Sequence, residues 1–206
     1  MYWSEFLAIA IAHLFAVASP GPDFAIVTRQ SVMAGTRIGI WTSLGVGAGI
    51  LVHVSYCILG VALLLTRYEQ LFNLMKLLAA GYLCFLGVQS IRESLRPQLA
   101  VSSTDSVSAE PGRAFWSGFL TNGLNPKATL FFLALFTVVI DIETPTSVQI
   151  AYGLYLALAT FAWFAMLSTV LGRQQVRDFM LRAGVWFERG MGIILILLAI
   201  QIVVFA

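Results

Sequence analysis

Long apolar runs alternate with short polar connections along most of this chain. Six runs can be drawn, at about residues 4–28, 38–65, 70–91, 114–140, 147–171 and 187–205. Each is close to the roughly 20 residues that an α-helix needs to cross the hydrocarbon core of a bilayer. The pattern therefore predicts an all-α polytopic membrane protein, a single membrane domain over residues 1–206 with six transmembrane helices.

A polar segment at residues 93–113 divides the six runs into two groups of three. It is rich in serine, contains two prolines and has few large apolar residues, a composition typical of a linker. We therefore predict a first three-helix half at residues 1–92 and a second at residues 114–206. Because three is an odd number, the second half should cross the membrane in the opposite sense to the first.

Positive charges are unevenly distributed among the connections between the runs. The first, third and fifth connections hold nine arginines: Arg29, Arg37, Arg92, Arg96, Arg113, Arg173, Arg177, Arg182 and Arg189. The second and fourth hold Arg67 and at most Lys76. Since Lys and Arg are enriched in cytoplasmic loops, the odd-numbered connections are predicted to be cytoplasmic and both termini to lie on the outer side.

The first run contains a sequence that cannot continue as a regular helix. Pro20 and Pro22 remove two backbone donors and Gly21 adds conformational freedom, so a break is predicted at Ser19–Asp23. A break at membrane depth is tolerated where protein or a water-filled cavity surrounds it. Asp23 places a carboxylate at the same point, and ionisable residues within spans are costly and usually functional.

The fourth run contains a second break. Asn125 followed by Pro126 is a helix-start signal, and it lies inside an apolar run, with Asn122 just before it and Lys127 just after it. Counted from the predicted cytoplasmic ends, the two breaks come at comparable depths in the bilayer. Broken helices at matching positions of two inverted halves indicate the binding site of a secondary transporter.

The two breaks together offer partners for a small zwitterion. Half-helices starting at Ser19-Pro20 and Asn125-Pro126 would attract a carboxylate to their N-termini. Lys127 can pair with the same carboxylate, and Asp23 can hold an ammonium group or a proton. The alternative is structural: Asp23 and Lys127 would form an ion pair that joins the two halves, or each would cap its own half-helix.

The predicted substrate-binding set combines both breaks with one residue of the third run. Its members are Ser19, Pro20, Gly21, Pro22, Asp23, Tyr82, Asn122, Asn125, Pro126 and Lys127. Asp23 is also the predicted proton-coupling residue. Tyr82 is included as an amphipathic side chain that could face the cavity, although tyrosine is also common at membrane interfaces.

Composition supports the assignment to membrane proteins and argues against nucleic-acid binding and enzyme activity. Hydrophobic residues make up 59% of the chain and charged residues only 11%, against about 25% charged in soluble domains, and the mean hydropathy is +0.88. The net charge of +2 is too balanced to indicate nucleic-acid binding. The sequence has no nucleotide-binding, hydrolase or metalloprotease motif, so no enzyme activity, cofactor or metal is predicted.

Several distinct motifs are spread, in a specific order and spacing, along nearly the whole chain. They are Ser19–Asp23; Gly35, Gly39, Gly45 and Gly49; Ala80–Leu83 with Leu86-Gly87; and Gly118–Asn122 followed by Asn125–Lys127. In these motifs the chain resembles the lysine-exporter superfamily, in particular the threonine-efflux members of its homoserine/threonine exporter branch. The resemblance implies a bacterial inner-membrane carrier of six helices, with periplasmic termini here, that exports threonine, homoserine or a related neutral amino acid by exchange with protons.

Two other functions stay open at this point. A passive channel for small polar solutes is possible because broken helices can also line a pore. A membrane thiol electron carrier would need Cys57 and Cys84 to react, although both lie in apolar runs on separate spans, which is typical of packing thiols.

Two structural questions also stay open. The small-residue faces Gly35/Gly39 and Gly45/Gly49 predict close helix packing, either within the chain or in a homodimer. His13 and His53 lie within the first and second runs, where a histidine could relay a proton or be a hydrogen-bonded packing residue.

Overall fold

The computed structural model describes residues 2–67, 69–95, 110–141, 143–171 and 174–205, and every regular element within these ranges is helical. The helices are α1 (Trp3–Ala18), α2 (Pro22–Ala34), α3 (Thr36–Arg67), α4 (Glu69–Glu93), α5 (Pro111–Gly123), α6 (Pro126–Ala134), α7 (Thr146–Val170) and α8 (Gln174–Phe205). A π-helical turn at Leu135–Val139 follows α6 directly. The predicted all-α fold is therefore confirmed for this part of the chain.

The length and hydropathy of several helices fit a bilayer. Within the described residues, three segments are long and apolar enough to cross it alone: Thr36–Gly60, Thr146–Val170 and Arg182–Val204. α1 and α2 form a fourth candidate span as a pair, bent by 54° at the break between them. Leu59 and Leu158 are 72% and 65% exposed, so large apolar side chains cover the outer surface of these helices. The fold is that of a polytopic membrane protein.

Two of the six predicted spans are not among these candidates. The run at 70–91 coincides with α4, and the run at 114–140 coincides with the broken pair α5 and α6. α6 has only 9 residues, which corresponds to about 14 Å of helix, half of the hydrocarbon thickness. Six crossings in two inverted halves therefore stay a prediction.

Two helices begin earlier in the sequence than the predicted apolar runs do. α8 begins at Gln174, well before residue 187, because residues such as Gln174 and Gln175 are good helix formers although they are polar. α5 begins at Pro111, inside the predicted linker, with proline at its favoured first position. The rest of that linker, residues 96–109, lies outside the described residues.

α3 packs closely against α5 through glycines. A Cβ atom at Gly45 would meet the carbonyl oxygen of Phe115, and one at Gly118 would meet that of Thr42. Only glycine allows two backbones to approach this closely. A Cβ at Gly49 would likewise lie 2.7 Å from the Asn122 side chain. The predicted close packing at Gly45 and Gly49 is therefore confirmed, and it lies within the chain.

Buried side chains form two apolar clusters. The larger includes Ile50, Phe131, Phe132, Leu195 and Met191, and the smaller includes Val17, Phe24, Val27, Phe164 and Leu167. α1, α2, α5 and α6, the four halves of the two broken helices, meet where these clusters adjoin.

Candidate functional site

The break between α1 and α2 consists of Ser19, Pro20 and Gly21. Ser19 ends α1, and its N–H still donates to the Phe15 carbonyl at 3.1 Å. Gly21 is extended, with φ −169° and ψ −169°, and Pro22 takes the first position of α2. The predicted break is confirmed. The second half-helix starts at Pro22, however, and not at Ser19-Pro20, because Gly21 between the two prolines is extended and not helical.

The break between α5 and α6 is capped by Asn125. Its Oδ1 accepts the N–H of Lys127 at 3.0 Å, and its carbonyl accepts the N–H of Thr129 at 2.9 Å. Pro126 follows at the first position of α6, so the predicted helix start is confirmed. The N–H of Lys127 is already bonded to this cap, so it is not one of the free donors expected at this helix end.

The two half-helices begin alike but carry opposite charges. Pro22 and Pro126 occupy the first position of α2 and α6, and Asp23 and Lys127 occupy the second. A carboxylate suits the positive end of a helix dipole, whereas an ammonium group is disfavoured there unless an anion is near. An anionic and a cationic side chain thus occupy corresponding positions of the two breaks.

Hydrogen bonds join the two breaks directly. Asn122 Nδ2 donates to Asp23 Oδ2 at 2.9 Å, and Lys127 Nζ donates to Ser19 Oγ at 3.1 Å. The bonded residues are 99 and 108 positions apart in the sequence. Asp23 and Lys127 are also close enough to interact electrostatically. The two motifs therefore form one polar cluster inside the bundle.

A small cavity lies at this cluster. Its volume is about 60 Å³, several times the roughly 10–15 Å³ that one water molecule requires. Asp23, Asn122 and Lys127 are on its wall, and the apolar lining comes from both buried clusters, including Phe24 and Phe131. The cavity thus combines a few charged and polar groups with an apolar surround, which is typical of small-molecule sites.

One oxygen of Asp23 is left without a partner. Oδ2 accepts from Asn122, whereas Oδ1 is buried and forms no direct hydrogen bond with the described residues. The Asn125 side chain is close enough to interact with the carboxylate but does not complete a bond to this oxygen. An unsatisfied buried acceptor costs about 1–3 kcal/mol, and more when it is charged. The site therefore has unused capacity for one donor, such as an ammonium group, a proton or a water molecule.

Comparison with known proteins agrees with this geometry. The LysE type translocator family matches residues 14–205, a range that contains both breaks. The chain belongs to this family. The resemblance to the lysine-exporter superfamily that the motifs indicate is confirmed.

This LysE type translocator is similar to known proteins over most of its length. It is 29% identical to "Threonine efflux protein" of Escherichia coli (strain K12), over 89% of the chain and 89% of that protein. It is 30% identical to "Leucine efflux protein" of Klebsiella pneumoniae subsp. pneumoniae, over 79% of the chain and 77% of that protein. It is also 30% identical to the membrane protein YahN of Escherichia coli (strain K12), over 77% of the chain and 71% of that protein. No solved structure matches it.

Seven of the ten predicted site residues line the cavity of the translocator. They are Ser19, Gly21, Pro22, Asp23, Asn122, Asn125 and Lys127. Pro20 and Pro126 belong to the breaks but are not among the lining residues. Tyr82 is not brought to the cavity: it is 37% exposed on α4, and its ring packs against Phe85 with the centroids 5.8 Å apart.

His13 and Thr160 line the cavity but were not in the predicted set. His13 Nε2 and Thr160 Oγ1 lie 2.8 Å apart, and both residues are buried. His13 carries a signal that could have identified it, because it is an ionisable residue within a span, about two turns before the break. Thr160 carries none, because its neighbours in α7 are apolar and nothing local marks which face meets the cavity.

The two cysteines of the translocator are free thiols away from the site. Cys57 is buried in α3 and Cys84 is exposed on α4. Neither lines the cavity. Among the described residues, no group of three or more His, Cys, Asp or Glu side chains could hold a metal ion.

Proposed function

We propose that this translocator is a secondary exporter of small neutral amino acids of the threonine and homoserine class, located in the bacterial inner membrane. Two of its relatives are named for efflux of threonine and of leucine, both neutral amino acids. The observation that carries the proposal is the unpartnered Oδ1 of Asp23 in the wall of a cavity that Lys127 also lines. A zwitterionic amino acid supplies the opposite charge for each.

Substrate recognition would use both breaks. The α-ammonium group would donate to Asp23 Oδ1, and the α-carboxylate would accept from Lys127 Nζ in place of Ser19 Oγ. Phe24 and Phe131 line the cavity and would contact the apolar part of the substrate. A cavity of about 60 Å³ favours a small side chain over an aromatic or long basic one.

Transport would proceed by alternating access. Six helices in two inverted halves, joined by the cytoplasmic linker at residues 93–113 and with both termini periplasmic, would rock about the fixed site. Substrate would enter from the cytoplasm and leave to the outside. A proton would then replace the departing ammonium group at Asp23 Oδ1, the oxygen that forms no hydrogen bond with the described residues.

Efflux of labelled amino acids from cells that express the chain tests the proposal. Cells loaded with threonine, homoserine, serine or leucine would be compared for the wild type, Asp23→Asn and Glu143→Gln. Glu143 is an exposed carboxylate that does not line the cavity, so its variant is the matched control for loss of one negative charge.

We expect Asp23→Asn to reach the membrane in normal amount and to lose export, because the neutral amide cannot hold an ammonium group by charge. Glu143→Gln should export at the wild-type rate. Export by Asp23→Asn at the wild-type rate would remove Asp23 from the site. Absence of amino-acid efflux in the wild type would refute the function itself.

A further inference from the structure

His53 is a buried residue outside the cavity that contacts both parts of the second broken helix. Its Nε2 lies 3.0 Å from the Asn122 carbonyl oxygen at the end of α5. Its ring is parallel to that of Phe132 on α6, with the centroids 5.4 Å apart. Its Nδ1 lies 2.7 Å from the hydroxyl of Tyr56 on its own helix, α3. His53 itself is 0% exposed.

The partners of His53 fix where its hydrogen lies. A carbonyl oxygen can only accept, so Nε2 must carry the hydrogen and donate to Asn122. The Tyr56 hydroxyl has one hydrogen, and its contact with Nδ1 at 2.7 Å is much shorter than its 3.5 Å contact with the Thr129 carbonyl, which is at the limit for a hydrogen bond. The shorter contact assigns the Tyr56 hydrogen to Nδ1, and burial favours the neutral imidazole over the charged one.

The break leaves the Asn122 carbonyl able to accept from an outside donor. In a continuous helix it would accept the N–H of residue 126, but that residue is Pro126, which has none. The N–H of Asn125 reaches the same oxygen at 2.9 Å in a tight turn, and a carbonyl has a second lone pair to fill. His53 fills it, and thereby fixes the last turn of α5 where the helix stops.

Asn122 connects His53 to the Asp23 carboxylate of the site. Its backbone accepts from His53, and its side chain donates to Asp23 Oδ2 at 2.9 Å. We infer that His53 is a positioning residue for transport: it holds Asn122, and through Asn122 it holds the Asp23 carboxylate that binds the substrate ammonium. The inference rests on the proposed function of that site. It assigns His53 a hydrogen-bond donor role with no transfer of protons.

Two amide substitutions separate this role from proton relay. His53→Gln and His53→Asn both introduce a neutral side chain that cannot relay a proton. The glutamine amide nitrogen falls near the position of histidine Nε2 and can still donate to Asn122, whereas asparagine is one methylene shorter and cannot reach it. The pair therefore differs by one methylene group, and with it in whether the amide reaches Asn122.

The experiment measures apparent KM for efflux of the amino acid that the wild type exports fastest, together with the amount of protein in the membrane. We expect His53→Gln to keep KM close to the wild-type value. We expect His53→Asn to raise KM about tenfold, the effect of losing one buried hydrogen bond of ordinary strength. Both proteins should be as abundant as the wild type.

Other outcomes would overturn the inference. If His53→Gln is inactive, whether present in the membrane or absent from it, a donor at the Nε2 position is not sufficient. If both variants have the wild-type KM, no donor is needed. If His53→Asn does not accumulate, His53→Gln decides alone, by keeping or losing transport. These results differ from failure of the proposed function, which would appear as no efflux by the wild type.

Discussion

At the scale of single residues, Asp23 and Lys127 define the chemistry of the cavity. Asp23 is held by Asn122 and Lys127 by Ser19, so each charged group has a neutral partner on the opposite break. Oδ1 of Asp23 nevertheless lacks a donor among the described residues. An ion pair that served only to join the two halves would be expected to use this oxygen, because leaving it unsatisfied is costly.

Neutralising Lys127 should weaken substrate binding. Lys127→Gln removes the positive partner of the substrate carboxylate, and a hydrogen bond to a charged group contributes about 1.5–3 kcal/mol. We therefore expect apparent KM for efflux to rise about ten- to a hundredfold, measured in the same labelled-substrate assay.

The double variant Asp23→Asn/Lys127→Gln serves as the control for a structural pair. If the two charges only stabilise each other, removing both should restore much of the transport that either single change loses. The proposal expects the double variant to transport no better than Asp23→Asn alone. Restored export would show that the charges have no direct contact with substrate.

Local chemistry made the residues of the breaks predictable, but not those on continuous helices. Proline within an apolar run predicts a helix break, so Ser19–Asp23 and Asn122–Lys127 could be found directly. Glycine alone does not, because Gly45 lies inside the continuous helix α3. Tyr82 was chosen only because it is amphipathic, and it does not line the cavity. In helices that are apolar on all sides, hydropathy does not tell which face meets the site, and for this reason Thr160 was missed.

At the scale of the helices, the contact of α3 with α5 holds the second break in place. Gly118→Ala would direct a Cβ atom onto the carbonyl of Thr42. Overpacking of this kind costs about 1–3 kcal/mol, so we expect a lower melting temperature of the detergent-solubilised protein and less protein in the membrane.

Gly112→Ala is the matched control on the same helix. No atom lies within 4 Å of a Cβ built at Gly112, and alanine is favoured over glycine in a helix by up to about 1 kcal/mol. Its melting temperature should equal or exceed that of the wild type. Equal melting temperatures for the two variants would show that the close approach of α3 and α5 does not limit stability.

The sequence predicts where the helices lie more accurately than it predicts the residues at which they begin and end. Either Pro20 or Pro22 could have taken the first position of the second half-helix, since both lack an N–H, and the choice depends on how Ser19 and Gly21 pack. The π-helical turn at Leu135–Val139 has no counterpart in the pattern, because its residue types are the same as those of the neighbouring α-helical turn.

At the scale of the whole molecule, the arginine distribution predicts the orientation in the membrane. A reporter that is active only in the periplasm, fused after Ala206, should be active. The same reporter inserted in the linker at residues 93–113 should be inactive, while a reporter that fluoresces only in the cytoplasm should give the opposite results. A fluorescent, cytoplasmic C-terminus would contradict the orientation, because Lys and Arg would then be enriched on the wrong side.

Proton exchange makes a quantitative prediction that also separates a carrier from a passive channel. In proteoliposomes with the membrane potential held at zero, a one-to-one exchange with protons couples substrate to the pH gradient. One pH unit corresponds to about 1.4 kcal/mol, which at equilibrium sustains about a tenfold concentration ratio of substrate. Because the proton enters as substrate leaves, substrate should accumulate on the more acidic side.

The concentration ratio at equilibrium decides between the mechanisms. A channel gives equal concentrations on both sides at any pH gradient, since nothing links the two fluxes. A proton carrier that uses Asp23 should give the tenfold ratio in the wild type and lose it in Asp23→Asn, whose amide cannot alternate between a proton and an ammonium group. A wild-type ratio of one would exclude coupling to protons and leave a channel or an uncoupled carrier, which saturation and counterflow distinguish.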